Sequence, residues 1–220
     1  MFLLEKGADI NSQDGYRRTA LHGASVAGYK DIVMLLLEKG AEINSRDKYR
    51  RTALHTASAA AQTDVVIFLL EKGADINSQD ENKNTALHKA SGFGDKALVK
   101  FLLDNGADLT LQDDQQRNAL YEASKTGRED VVQLLLEKAI DVELPGGVYD
   151  VALNIACRPI RYSFRDNDAA QLLLQKGATF DVPLEIYNRA LKTVKDVGKY
   201  AQPYREDIMR LLREKGARLE

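Results

Sequence analysis

The stretch GYRRTALH at residues 15–22 recurs almost letter for letter as KYRRTALH at residues 48–55, 33 positions later. Two copies of a catalytic motif would mean two active sites, whereas two copies of a structural motif would mean two stacked units. The wider pattern decides between them. TALH begins at Thr19, Thr52 and Thr85, and the looser forms NALY at Asn118 and VALN at Val151 keep the same step. A second word travels with the first: LLEKGADINSQD at 3–14, LLEKGAEINSRD at 36–47, LLEKGADINSQD at 69–80 and LLDNGADLTLQD at 102–113. A constant period of this length marks units that stack, because one small unit cannot bury its own apolar face.

Each unit reads as a pair of helices. Thr19 offers a hydroxyl to the free backbone amides of a helix start, and ALHGASVA follows with small side chains for close packing. Gly28 stands where this helix must stop in a left-handed conformation, and Gly40 does the same for the second helix. In KDIVMLLLEK, the residues Ile32, Val33, Leu35 and Leu36 fall at helical spacing as a buried stripe, with Asp31, Glu38 and Lys39 left to solvent. AEINSRDKYRR then provides a short extended turn into the next unit.

The period, the T-x-L-H-x-A word, the helix-ending glycines and G-A-D-I-N together resemble ankyrin repeats. The resemblance implies an all-α fold: an elongated right-handed α-solenoid of six stacked helix-turn-helix units with short β-hairpin fingers, forming a single domain over 1–220. A truncated half repeat at 1–13 leads into regular repeats at 14–46, 47–79, 80–112 and 113–145. Irregular repeats follow at 146–183 and 184–220, the last a C-terminal cap carrying Arg205, Glu206, Arg210, Arg213 and Lys215. In these two, 24 residues separate Leu153 from Gly177 and 25 separate Leu191 from Gly216, against 19 from Leu21 to Gly40. The surplus is expected between the paired helices, near 158–168 and 197–206.

Departures from the family pattern carry their own expectations. The chain opens in mid-repeat, so Phe2, Leu3 and Leu4 are expected to leave an open apolar end, as in a piece of a longer protein. The usual proline at the first helical position is replaced by Ala20, Ala53, Ala86, Ala119 and Ala152, and the usual finger glycine by Arg17, Arg50, Lys83 and Gln116. Ala61 and Ala139 stand where helix-ending glycines belong, at a cost of about 1 kcal/mol wherever a positive φ is required.

Composition excludes several function classes. A net charge of −2 over 220 residues gives no general attraction to nucleic acid or to an anionic membrane. Apolar runs such as IVMLLL (32–37) and VVIFLL (65–70) are far too short for a membrane span. The lone Cys157 excludes an intramolecular disulfide and, with no signal peptide in MFLLEKGAD, points to a reducing, cytoplasmic setting.

Catalytic and metal motifs are likewise wanting. His22, His55 and His88 sit in successive units whose helices pack roughly 8–10 Å apart, while zinc ligands must each lie about 2 Å from the ion. They read as buried imidazoles bonding backbone between repeats. Cys157 occupies the position of Ser25, Ser58, Ser91 and Ser124, a small core site. SGFGDK (91–96) joins two helices instead of following a strand, LPGGVYD (144–150) is a turn, and the DD at 113–114 lacks the alternating ligands of a calcium loop. No catalytic residue, metal or cofactor is expected.

Function then falls on what varies between copies. In ankyrin-like stacks the partner lies against the finger tips and the exposed side of the first helices, on the concave face. That places partner-binding candidates at Tyr16, Arg18, Val26, Arg46, Lys48, Tyr49, Arg51, Ala59, Asn82, Phe93 and Arg117. Tyrosine and arginine are enriched in interface hot spots, and the first two fingers alternate them. Charge is banded as well: net +1 over 1–100, −7 over 101–150 and +4 over 151–220. The acidic band argues against nucleic acid. The expectation is a non-catalytic protein–protein interaction module for a protein or peptide partner, acidic or phosphorylated, the chain itself mostly monomeric with end-to-end association through the open N-terminus. The alternative is a regulatory array of a larger protein, a signalling receptor or host-directed effector, whose active domain lies elsewhere. Asn11, Asn44 and Asn77 also resemble asparagines that are hydroxylated in ankyrin proteins, beside their plainer role of stabilising the finger turn.

Overall fold

The computed structural model describes residues 7–139, 174, 184–195 and 202–218. Among them the chain is all-α and divides into two compact units, Met1–Asp108 and Leu109–Glu220. In the first unit, helices α1 (Ala20–Val26), α3 (Ala53–Ala59) and α5 (Ala86–Phe93) lie side by side. Each pairs with the helix that follows it: α2 (Lys30–Glu38), α4 (Thr63–Glu71) and α6 (Lys96–Asp104). The second unit contains the pair α7 (Ala119–Lys125) and α8 (Glu129–Ala139), and the pair α9 (Leu184–Lys195) and α10 (Gln202–Glu214).

Helices of seven or eight residues have little stability alone, so packing must hold them. Leu21, Leu54, Leu87 and Leu120 are at most 1% exposed, and Ala57, Ala90 and Ala123 let the backbones approach. The apolar stripe of the second helices holds in α4, where Val65, Val66, Phe68 and Leu69 are buried, and in α6, with Leu98, Val99 and Leu102. In α2 it departs from expectation. Val33 and Leu36 are buried, but Ile32 is 46% exposed and Leu35 only half-buried. Its counterparts Val65 and Leu98, one and two periods on, are buried.

The helix ends follow their glycines. Gly28 ends α1 at φ +74, and its counterpart one period later is Ala61, which adopts φ +51 without glycine's freedom. Ala139 instead stays within α8 as its last residue. Of the expected long loop at 197–206, residues 202–206 form the start of α10, and 197–201 lie outside the described residues. Pro203 falls in the first turn, where its missing N–H is not needed. The loop at 158–168 and the residues Phe2, Leu3, Leu4, Ala152, Cys157 and 144–150 lie outside the described residues.

The fingers differ from the hairpins expected. No strand occurs among the described residues. Each finger is instead a tight turn folded around one aspartate. In the first, Arg17 N–H donates to the Asp14 carbonyl (2.8 Å), Asp14 N–H donates to the Arg18 carbonyl (3.0 Å), and Asp14 Oδ1 accepts from the N–H groups of Tyr16 and Arg18. Asp47, Asp80 and Asp113 repeat this arrangement. A single backbone bond then ties finger to finger, from Lys48 N–H to the Tyr16 carbonyl and from Glu81 N–H to the Tyr49 carbonyl, each 2.9 Å. A turn this tight leaves no room for a ladder, and it requires φ between +57 and +62 at Arg17, Arg50, Lys83 and Gln116.

Candidate functional site

The histidines carry the frame, as the sequence suggested. His55 Nδ1 accepts the backbone N–H of Thr52 at 3.2 Å and lies 2.9 Å from its Oγ1, while Nε2 lies 3.0 Å from the carbonyl of Asn84 in the next unit. A backbone N–H only donates and a carbonyl only accepts, so the ring proton sits on Nε2. Burial pushes the His55 pKa down, which keeps the ring in this neutral form. His22 makes the same stitch from Thr19 to the Arg51 carbonyl. These rings are fully used in holding one unit to the next. Among the described residues no group of His, Cys, Asp and Glu could hold a metal ion.

The asparagines of the second word stitch in parallel. Asn77 donates to the Gly106 carbonyl (3.2 Å) and accepts from Asp108 N–H (2.8 Å). Asn11 does likewise with Gly40 and Glu42, and Asn44 accepts from Asp75 N–H. These side chains thus tie each unit to the backbone of the next, 29–31 residues on, and not their own finger turn as the sequence suggested.

With the frame assigned, the side chains left over gather on the first two fingers. Arg18 lies 5.2 Å from the centre of the Tyr16 ring, and Lys48 lies 4.6 Å from that ring and 4.9 Å from the ring of Tyr49. Arg51 completes the series at 4.9 Å from Tyr49. The five side chains thus form a row of alternating cations and aromatic rings across two fingers. Each such contact contributes about 0.5–1 kcal/mol at an exposed site, enough to pre-order long side chains that would otherwise be free.

The arginines are less available than their sequence implied. Arg18 Nε donates to Asp14 Oδ2 at 2.8 Å and its Nη2 reaches the same oxygen at 2.7 Å. Arg51 grips Asp47 in the same way, at 2.8 and 2.6 Å. The hydrogen bonds from Arg18, helped by those of the backbone, hold the Asp14 carboxyl down at about 2. For Asp47 burial pushes upward, yet the bonds from Arg51 and the turn amides leave it below its ordinary value. These aspartates, the last letter of the repeated INSQD word, went unread in the sequence although their 33-residue spacing was visible.

The remaining candidates are placed separately. Arg46 donates to the Gln79 carbonyl at 3.1 Å. Val26, Ala59 and Phe93 are exposed at the last residues of α1, α3 and α5. Asn82 is exposed on the third finger, where Asn84 replaces the arginine and Lys89 pairs with Asp80 instead, at 2.9 Å. Arg117, in the second unit, is held by Asp113 and lies 5.3 Å from the Tyr121 ring. A recess of about 210 Å³ between α4 and α6, lined by Leu70, Ile76 and Phe101 among others, is smaller than the roughly 300–1,000 Å³ of small-molecule sites.

Among the described residues no helix is long and apolar enough to cross a membrane. A search of curated proteins gives no match. A family profile described as ankyrin repeats (3 copies) does match, over residues 1–80 and 75–145. That match covers well over half of the sequence and takes in helices α1 to α8, the fingers and the Thr–His stitches just described, and so the chain belongs to the ankyrin repeat family.

Proposed function

We propose that the chain is a non-catalytic binding module that takes a protein or peptide partner on its first two fingers and the neighbouring ends of the first helices. Ankyrin repeats are generally protein–protein interaction modules and typically non-catalytic, which supports the class. The choice of face rests on one observation: the ordered row Arg18, Tyr16, Lys48, Tyr49 and Arg51, which no stitch between helices requires. Tyr16 and Phe93 are each 50% exposed, whereas the stacking leucines Leu21, Leu54 and Leu87 are at most 1% exposed. Aromatic and cationic side chains that are already ordered lose little entropy on binding. The lone Cys157 supports an intracellular working place.

The test is a peptide library displayed on phage and selected on the intact chain. Selected peptides should lose binding to Tyr16→Ala and Lys48→Ala and keep it for Glu71→Ala, at the far end of α4. Peptides that bind all three variants alike would place the binding face elsewhere.

A further inference from the structure

The two basic fingers hold more positive charge than their own acids engage. Residues 14–18 carry Arg17 and Arg18 against Asp14, and residues 46–51 carry Arg46, Lys48, Arg50 and Arg51 against Asp47. The two aspartates are taken by Arg18 and Arg51. Among the described residues, Arg17, Lys48 and Arg50 have no carboxylate within ion-pair distance. All three are exposed. Arg17 and Arg50 also stand at φ +57, where glycine would sit without strain. The fold gains nothing from a long cation at that position; a ligand with negative charge would.

The spacing of these cations limits the ligand. They are spread over two adjacent fingers instead of converging on one point, so they suit several separate charges better than one dense anion. Units that pack helix against helix are spaced by roughly 8–10 Å, and a peptide in the extended polyproline II conformation, with about three residues per turn and ~3.1 Å per residue, brings every third side chain to one face at that distance. We propose that the fingers take an extended acidic peptide whose carboxylates recur every third residue, one facing each finger, with Lys48 between them. This rests on the reading of the fingers as the binding face and adds the chemistry of what binds there.

Labelled synthetic peptides test it by fluorescence anisotropy on the intact chain. One carries glutamates at every third position; a second has the same composition with the glutamates contiguous; a third has glutamine throughout. The spaced peptide should bind at least about five-fold more tightly than the contiguous one, and the glutamine peptide should not bind measurably. The double variant Arg17→Gly/Arg50→Gly should weaken the spaced peptide about ten-fold or more while its melting temperature holds or rises, because glycine suits the backbone there. Lys83→Ala on the third finger should leave binding unchanged. No preference for spacing, an undiminished affinity in the double variant, or equal binding of a single-stranded DNA of matched charge would each overturn the inference. If library-selected peptides still depend on Tyr16 and Lys48 while lacking acids, the binding face stands and only the acidic ligand falls. If they too ignore the fingers, both readings fail.

Discussion

Asp47→Asn separates the ion pair of a finger from the turn it closes. Asp47 is 2% exposed and accepts four donors: the N–H groups of Tyr49 and Arg51 at Oδ1, and Arg51 Nε and Nη2 at Oδ2. Asparagine keeps an oxygen for the two backbone amides. At the other position it offers an NH₂ to two donors that can no longer be accepted. Hydrogen bonds to charged groups contribute about 1.5–3 kcal/mol each. The Arg51 side chain is 36% exposed and regains water when released, so the sum must be discounted, to a net loss of about 2 kcal/mol. For a chain of this size that corresponds to a melting temperature lower by roughly 4–8 °C. The repeat supplies an internal control. Asp14 makes the same contacts, but its side chain is 42% exposed, and Asp14→Asn should cost clearly less. Thermal melts followed by circular dichroism, with hydrogen exchange at the Tyr49 and Arg51 amides, read both variants. Equal losses at the two positions would refute the reasoning that burial of the second aspartate sets its weight.

Three further outcomes follow from backbone and burial. Ala61→Gly should stabilise the chain by about 0.5–1 kcal/mol in urea denaturation, since it relieves a left-handed alanine, the gain being offset by glycine's extra freedom when unfolded. Ala20→Pro should add a similar amount of about 0.4–1 kcal/mol; Ala20 is the exposed first residue of α1 and the preceding Thr19 is extended at ψ 168, as a residue before proline must be. The pH dependence has two parts. Because the folded state lowers the His55 pKa, the unfolded chain binds more protons below about pH 6.5, so melts should show stability falling between pH 7 and 5 by at most about 1.4 kcal/mol per pH unit from this residue. The depressed Asp14 acts lower down: its stabilising effect is complete above about pH 4, is lost as pH falls through about 2, and is read by titrating its side-chain carbon signal.

The fold was legible because repetition exposes structure. Leu21, Leu54 and Leu87 recur at one spacing and are buried alike, and the Thr–His pair recurs because it makes the same stitch each time. Aspartates 14, 47, 80 and 113 recur as regularly, but their role depends on a turn too tight for any pattern of apolar residues to signal. Ile32 looked like its counterparts Val65 and Leu98, yet it is 46% exposed where they are buried. The candidate site was only partly readable. Tyr16, Lys48 and Tyr49 were named from their chemistry, while the capture of Arg18 and Arg51 by the finger aspartates required coordinates. Which cations are left for a ligand is decided by those pairings, and composition does not contain them.

The central claim is that the first two fingers bind the partner. Backbone amide resonances of the intact, isotope-labelled chain, recorded during titration with a peptide selected on it, test this most directly. The account predicts the largest shifts at residues 15–18 and 48–51, with smaller ones at Val26, Ala59 and Phe93 and none at the stitched amides of Asp75 and Asp108. Shifts centred on the second helices or their ends, with residues 15–18 and 48–51 unmoved, would contradict it.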